Sequence, residues 1–173
     1  MSASRLSLSF IFLLFVFTIQ ESAIARINFP VTGFSLFLAV LLGTMALEDR
    51  SGAIILGFIG GLIMDLAPTS NSPFGQWALV LTLVGYIIAT NRESIGDFTT
   101  RPGAFVFFVA LASALTLTLS LILGSLIGDQ NGTFGRNIVV VGGNTFWTFL
   151  FSPIVLPGLT KLREITLTSR ERV

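Results

Sequence analysis

Long apolar runs separated by short polar clusters dominate the pattern along this chain. A helix needs about 20 mostly apolar residues to cross the hydrocarbon core of a bilayer. Six segments reach or approach that length, roughly 6–23, 31–47, 51–67, 74–90, 103–127 and 136–160. Only Glu48, Asp49 and Arg50 separate the second segment from the third, which forces a tight helical hairpin. The connection 67–73 is uncharged and rich in turn formers, including Ser, Asn and Pro. The stretch from Asn91 to Pro102 is polar and charged, and Ile127 to Gly135 is a glycine-rich turn. The pattern predicts an all-α polytopic membrane protein. Six transmembrane helices form one domain over residues 1–160, and residues 161–173 make a basic cytoplasmic tail.

Composition supports this class. The chain has 173 residues, 53% of them apolar and 11% charged, against about 25% charged in soluble domains. So few charges could not cover a water-facing surface. The net charge of +1 offers no field to recruit nucleic acid. The chain contains neither Cys nor His, which removes disulfides, thiolate and imidazole metal sites, cysteine nucleophiles and histidine bases. No Gly-x-Ser-x-Gly, His-Glu-x-x-His or P-loop pattern occurs, and no cofactor or metal site is expected. An intramembrane enzyme is disfavoured by the missing acid–base set.

Charge placement predicts orientation. With both termini in the cytoplasm, Arg5, Arg50, Arg92, Arg101, Lys161, Arg163, Arg170 and Arg172 lie inside, and Arg26 and Arg136 lie outside. That eight-to-two bias follows the positive-inside rule. The first segment, with Arg5, the run Leu6 to Ile19 and Ala23-Ile24-Ala25, also imitates a cleavable signal peptide. It is expected to stay as a first transmembrane helix; cleavage would leave five spans in the same orientation.

Candidate residues concentrate in the third and fourth segments. Asp65 is the one acidic residue set inside the last five apolar segments, at the end of Gly57-Phe58-Ile59-Gly60-Gly61-Leu62-Ile63-Met64-Asp65. An ionisable group beside hydrocarbon costs a few kcal/mol or more, so Asp65 needs a partner or a task. It is expected either to accept hydrogen bonds or pair with a cation and so fix a turn or docking surface, or simply to cap the end of its span. Gly57 and Gly61 form a small-xxx-small pair that lets helix backbones approach closely. Pro73, in Pro73-Phe74-Gly75, suits the first turn of the next helix because its missing N–H would be unpaired there. Gly85-Tyr86 closes that helix, and Tyr86 and Trp77 suit the two membrane interfaces. Ser113, Thr116 and Ser120 share one face of the fifth segment and should face other helices or bond their own i−4 carbonyls. Asn144 is the most polar residue inside the sixth segment, and Pro153 and Pro157 should kink or break it.

The order Gly57-Phe58-x-Gly60-Gly61-Leu62-x-x-Asp65, a proline-bearing loop, Pro73-Phe74-Gly75 and then Gly85-Tyr86 resembles the rod shape-determining protein MreD family. The layout of the remaining segments is similar as well. The resemblance implies a multi-pass protein of the bacterial inner membrane, with a fold similar to the S-component of energy-coupling-factor transporters and no catalysis of its own. It implies partnership with the scaffold MreC and, directly or indirectly, with the MreB filament. It also implies work with a SEDS-family glycosyltransferase and its transpeptidase in lateral peptidoglycan synthesis. Gly57, Gly60, Gly61, Asp65, Pro73, Gly75, Gly85 and Tyr86 are the candidates for helix packing and interaction. The chain departs from the family in the inner loop after the fourth segment, where Glu93 and Asp97 offset Arg92 and Arg101. The alternative reading is a vitamin-binding S-component, with Asn71, Gln76, Trp77 and Asn144 as possible pocket donors.

Overall fold

A computed structural model describes residues 3–22, 34–67, 72–91, 102–128 and 133–166. Six helices account for nearly all of them: α1 (Ala3–Ser22), α2 (Leu36–Leu47), α3 (Arg50–Asp65), α4 (Gln76–Thr90), α5 (Pro102–Ile127) and α6 (Phe134–Thr166). No strand occurs among the described residues.

The core is built around α2. This helix is apolar on every side, and such a helix is stable only when enclosed. Phe37, Leu38, Leu41, Leu42 and Met45 are each at most 1% exposed, and α2 packs against all five other helices. Its start is fixed by Ser35, whose Oγ accepts from Leu38 N–H at 3.2 Å. Gln20 of α1 reinforces it: Oε1 accepts from Leu36 N–H (2.8 Å) and Nε2 donates to the Phe34 carbonyl (3.3 Å). The Phe17 and Phe37 rings meet edge to face at 5.4 Å beside this junction. The hairpin expected at Glu48 to Arg50 forms in two residues. Glu48 ends α2, and Asp49 caps α3 by accepting from Gly52 N–H at 2.9 Å.

Helices occupy all six predicted segments, but their lengths are unequal. α2, α3 and α4 have 12, 16 and 15 residues, about 18, 24 and 22 Å at 1.5 Å per residue. A hydrocarbon core of about 30 Å is longer than any of these. Among the described residues, two helical stretches are long and apolar enough to cross a membrane, Pro102–Ile127 and Phe134–Val155. Within their apolar windows only 39% and 22% of residues are buried. A core helix of a soluble protein would be mostly enclosed, whereas these present apolar surface outward. Exposed Phe15, Phe107, Leu126 and Ile154 extend that character around the molecule, as expected where lipid rather than water is the solvent.

The polar face predicted on α5 is confirmed. Ser113, Thr116 and Ser120 are buried. Ser113 Oγ donates to Asn144 Oδ1 of α6 at 3.1 Å, Thr148 Oγ1 donates to the same oxygen at 3.3 Å, and Thr116 Oγ1 donates to its own i−4 carbonyl, that of Ala112. Of the kink or break expected in the last segment, the break does not occur: α6 continues through Pro153 and Pro157 to Thr166. Both prolines lie on its exposed side. Each proline removes one N–H to i−4 carbonyl bond, and its ring crowds that carbonyl of its own helix.

Candidate functional site

The singled-out residues converge on the seam between α3 and α4. Ala53, Gly57, Gly61 and Asp65 follow one another at intervals of four, so they form one stripe along α3. The antiparallel α4 lies along that stripe. A Cβ at Gly57 would strike the Leu81 carbonyl oxygen, and one at Gly61 would strike the backbone of Trp77 and Ala78. From the other side, a Cβ at Gly85 would come within 2.7 Å of the Ala53 carbonyl oxygen. Each helix therefore supplies glycine where the other's backbone presses closest. Gly60 does different work: it turns toward α2, where an added Cβ would meet the branched end of Leu41.

Asp65 closes the stripe. Its Oδ1 accepts from Trp77 N–H at 3.0 Å and its Oδ2 from Ala78 N–H at 2.9 Å. The carboxylate thus caps the N-terminus of the following helix rather than its own. The local sequence explains why. The N-cap position of α4 is Gly75, at φ 92° and ψ −9°, with no side chain to offer. That conformation belongs to the third position of a type II turn, and the Pro73 carbonyl accepts from Gln76 N–H at 3.1 Å to close it. The amides of Gln76, Trp77 and Ala78 are all taken, and Leu79 N–H begins the helical ladder on the Gly75 carbonyl at 3.0 Å. These amides would otherwise lack helical partners, and none is left to bind an external anion.

Pro73 consequently sits outside the helix as the first residue of the turn, not in its first helical position. The left-handed backbone at Gly75 delays the helix to Gln76. Tyr86 does not join the seam. It is exposed on the outward face of α4 together with Leu79 and Leu83. Two contributors were not evident from the motif. Ala53 extends the glycine stripe by one turn, a spacing readable in the sequence. The other is Gln76, buried in the first turn of α4, whose Nε2 donates to the Ser120 carbonyl (2.7 Å) and lies 3.2 Å from Ser120 Oγ.

The pocket donors of the alternative reading do not converge. Gln76 is bonded to α5, Asn144 is bonded within the α5–α6 interface, and Asn71 lies outside the described residues. Trp77 is half-buried beside the core. An apolar groove of about 600 Å³ lies elsewhere, between the ends of α5 and α6, walled by Leu121, Ile122, Phe134, Ile138 and Val141 among others.

The α3–α4 arrangement is mechanical: a close-packed helical hairpin with its turn held by an internal carboxylate. No curated protein and no solved structure matches this chain. The family model of the rod shape-determining protein MreD matches residues 2–164, nearly the whole length. With the glycine seam, the Asp65 cap and the apolar exterior in place, that match identifies the chain as a member of the MreD family of rod shape-determining membrane proteins.

Proposed function

We propose that this chain is a non-enzymatic scaffold of the bacterial elongation complex, embedded in the inner membrane by six crossings with both termini cytoplasmic. It partners MreC and supports the lateral peptidoglycan machinery, namely the SEDS-family glycosyltransferase with its transpeptidase, in register with the MreB filament. The single observation behind this reading is the MreD match across residues 2–164. The α3–α4 hairpin supports it physically. Gly57, Gly61, Gly85 and Asp65 make a rigid two-helix unit, with Gly60 seating it on α2 and Pro73 and Gly75 shaping its turn. The unit leaves Phe58, Leu79, Leu83 and Tyr86 outward as an apolar face for membrane helices of partners or for lipid. The short α2, α3 and α4 cross by local thinning of the bilayer.

Replacing the native copy in rod-shaped cells with the Asp65→Ala chain tests the proposal. The expected outcome is rounding of cells and loss of lateral wall incorporation, with the variant still found in the membrane. Cells that keep rod shape and lateral synthesis would refute it.

A further inference from the structure

Three side-chain hydrogen-bonded junctions gather at one end of the bundle. Contacts place the C-terminal ends of α1, α3 and α5 beside the N-terminal ends of α2, α4 and α6. Gln20 holds the start of α2, Asp65 holds the start of α4, and Gln76 reaches from α4 to Ser120 of α5. The last two junctions share one turn of helix. Asp65 grips the amides of residues 77 and 78, and the side chain of residue 76 grips α5.

Gln76 is 6% exposed. Burying an amide is unfavourable unless it is hydrogen-bonded, and a leucine or methionine would fill the same space without that penalty. Packing alone therefore does not account for a glutamine here. Its Nε2 contacts join positions 44 residues apart, one of them at the main-chain carbonyl of Ser120. On α5, Ser120 faces α4, while Thr118, Leu121, Ile122 and Ser125 on the other side of the same two turns wall the α5–α6 groove. These turns of α5 are thus held between the Gln76 contact and the groove.

We infer that Gln76 is a coupling residue, through which the Asp65-held first turn of α4 and the groove-lining turns 118–125 of α5 take up their positions together. The chain of contacts runs from the Asp65 carboxylate to the Trp77 and Ala78 amides, along one residue of backbone to Gln76, and across its Nε2 to Ser120. Loosening at either end reaches the other, since coupling between two sites is reciprocal. The inference concerns the isolated chain and stands apart from the choice of cellular partners.

Hydrogen exchange on the full-length protein in lipid nanodiscs tests it, using Asp65→Asn with and without Gln76→Leu. Asp65→Asn alone is expected to speed exchange at 76–80 and, about threefold, at 118–125. In the Gln76→Leu background, Asp65→Asn is expected to act at 76–80 only. Unchanged exchange at 118–125 in Asp65→Asn would overturn the inference, as would an equal effect there in both backgrounds. Gln76→Met serves as a second background should Gln76→Leu not fold, and the Asp65→Asn arm tests the long-range effect without either. Because the readout is the purified chain, failure here is separable from failure of the scaffold role, which is read in cells.

Discussion

At the end of α3, a carboxylate faces the partial negative charge of its own helix C-terminus, which disfavours it there. Asp65 therefore draws its stabilisation from α4, where the macrodipole and two amides favour it. Hydrogen bonds to a charged group contribute about 1.5–3 kcal/mol each, and they are not additive when shared by one group. Asp65→Ala is expected to cost about 3 kcal/mol in thermal or denaturant unfolding, and Asp65→Asn, which keeps one acceptor, about 1 kcal/mol. The glycines should rank by what stands opposite them. Gly57→Ala, Gly61→Ala and Gly85→Ala drive a Cβ into backbone, which cannot move aside, so each should cost about 1–3 kcal/mol. Gly60→Ala meets the flexible tip of Leu41 and should cost less than any of the three in the same assay. Gly75→Ala has open space around it, and its cost of about 1 kcal/mol would come from the left-handed backbone alone.

Among the elements, the α3–α4 hairpin was the most legible in sequence. Gly57 and Gly61 at one helical interval, an acidic residue ending the run and a proline-glycine turn each have a direct steric or hydrogen-bonding meaning. Capping across the turn was harder to read, because whether Asp65 caps its own helix or the next depends on the chain reversing at Gly75. The position of Pro73 was misread for the same reason: a proline two residues before a left-handed glycine belongs to the turn. Local propensity was only a partial guide at Pro153 and Pro157: both lie on an exposed side of α6, and the helix runs on through them. The Gln76–Ser120 contact spans 44 residues and leaves no periodic trace. The α5–α6 interface leads to a contrasting prediction. Asn144→Leu removes the acceptor shared by Ser113 and Thr148, yet both hydroxyls can turn to carbonyls of their own helices. Interhelical bonds of this kind average about 0.6 kcal/mol within membranes. The variant should cost about 1 kcal/mol or less, well below Asp65→Ala in the same unfolding assay.

For the whole molecule, apolar outward surface among the described residues and the MreD match point to a membrane protein of rod-shape determination. Its proposed orientation is directly checkable because the chain has no native cysteine. A single cysteine in place of exposed Phe74 should react with an impermeant thiol reagent in intact spheroplasts. One in place of Lys161 should react only after the membrane is opened, and the reverse pattern would invert the topology. The central claim is that this body recruits wall-synthesis proteins and carries out no transport or chemistry of its own. The most direct measurement is mild-detergent purification of the tagged chain from its native membrane, followed by identification of everything bound to it. The account predicts MreC together with components of the lateral peptidoglycan machinery. A tightly held vitamin and a pair of transport ATPases, with no wall-synthesis protein, would contradict it.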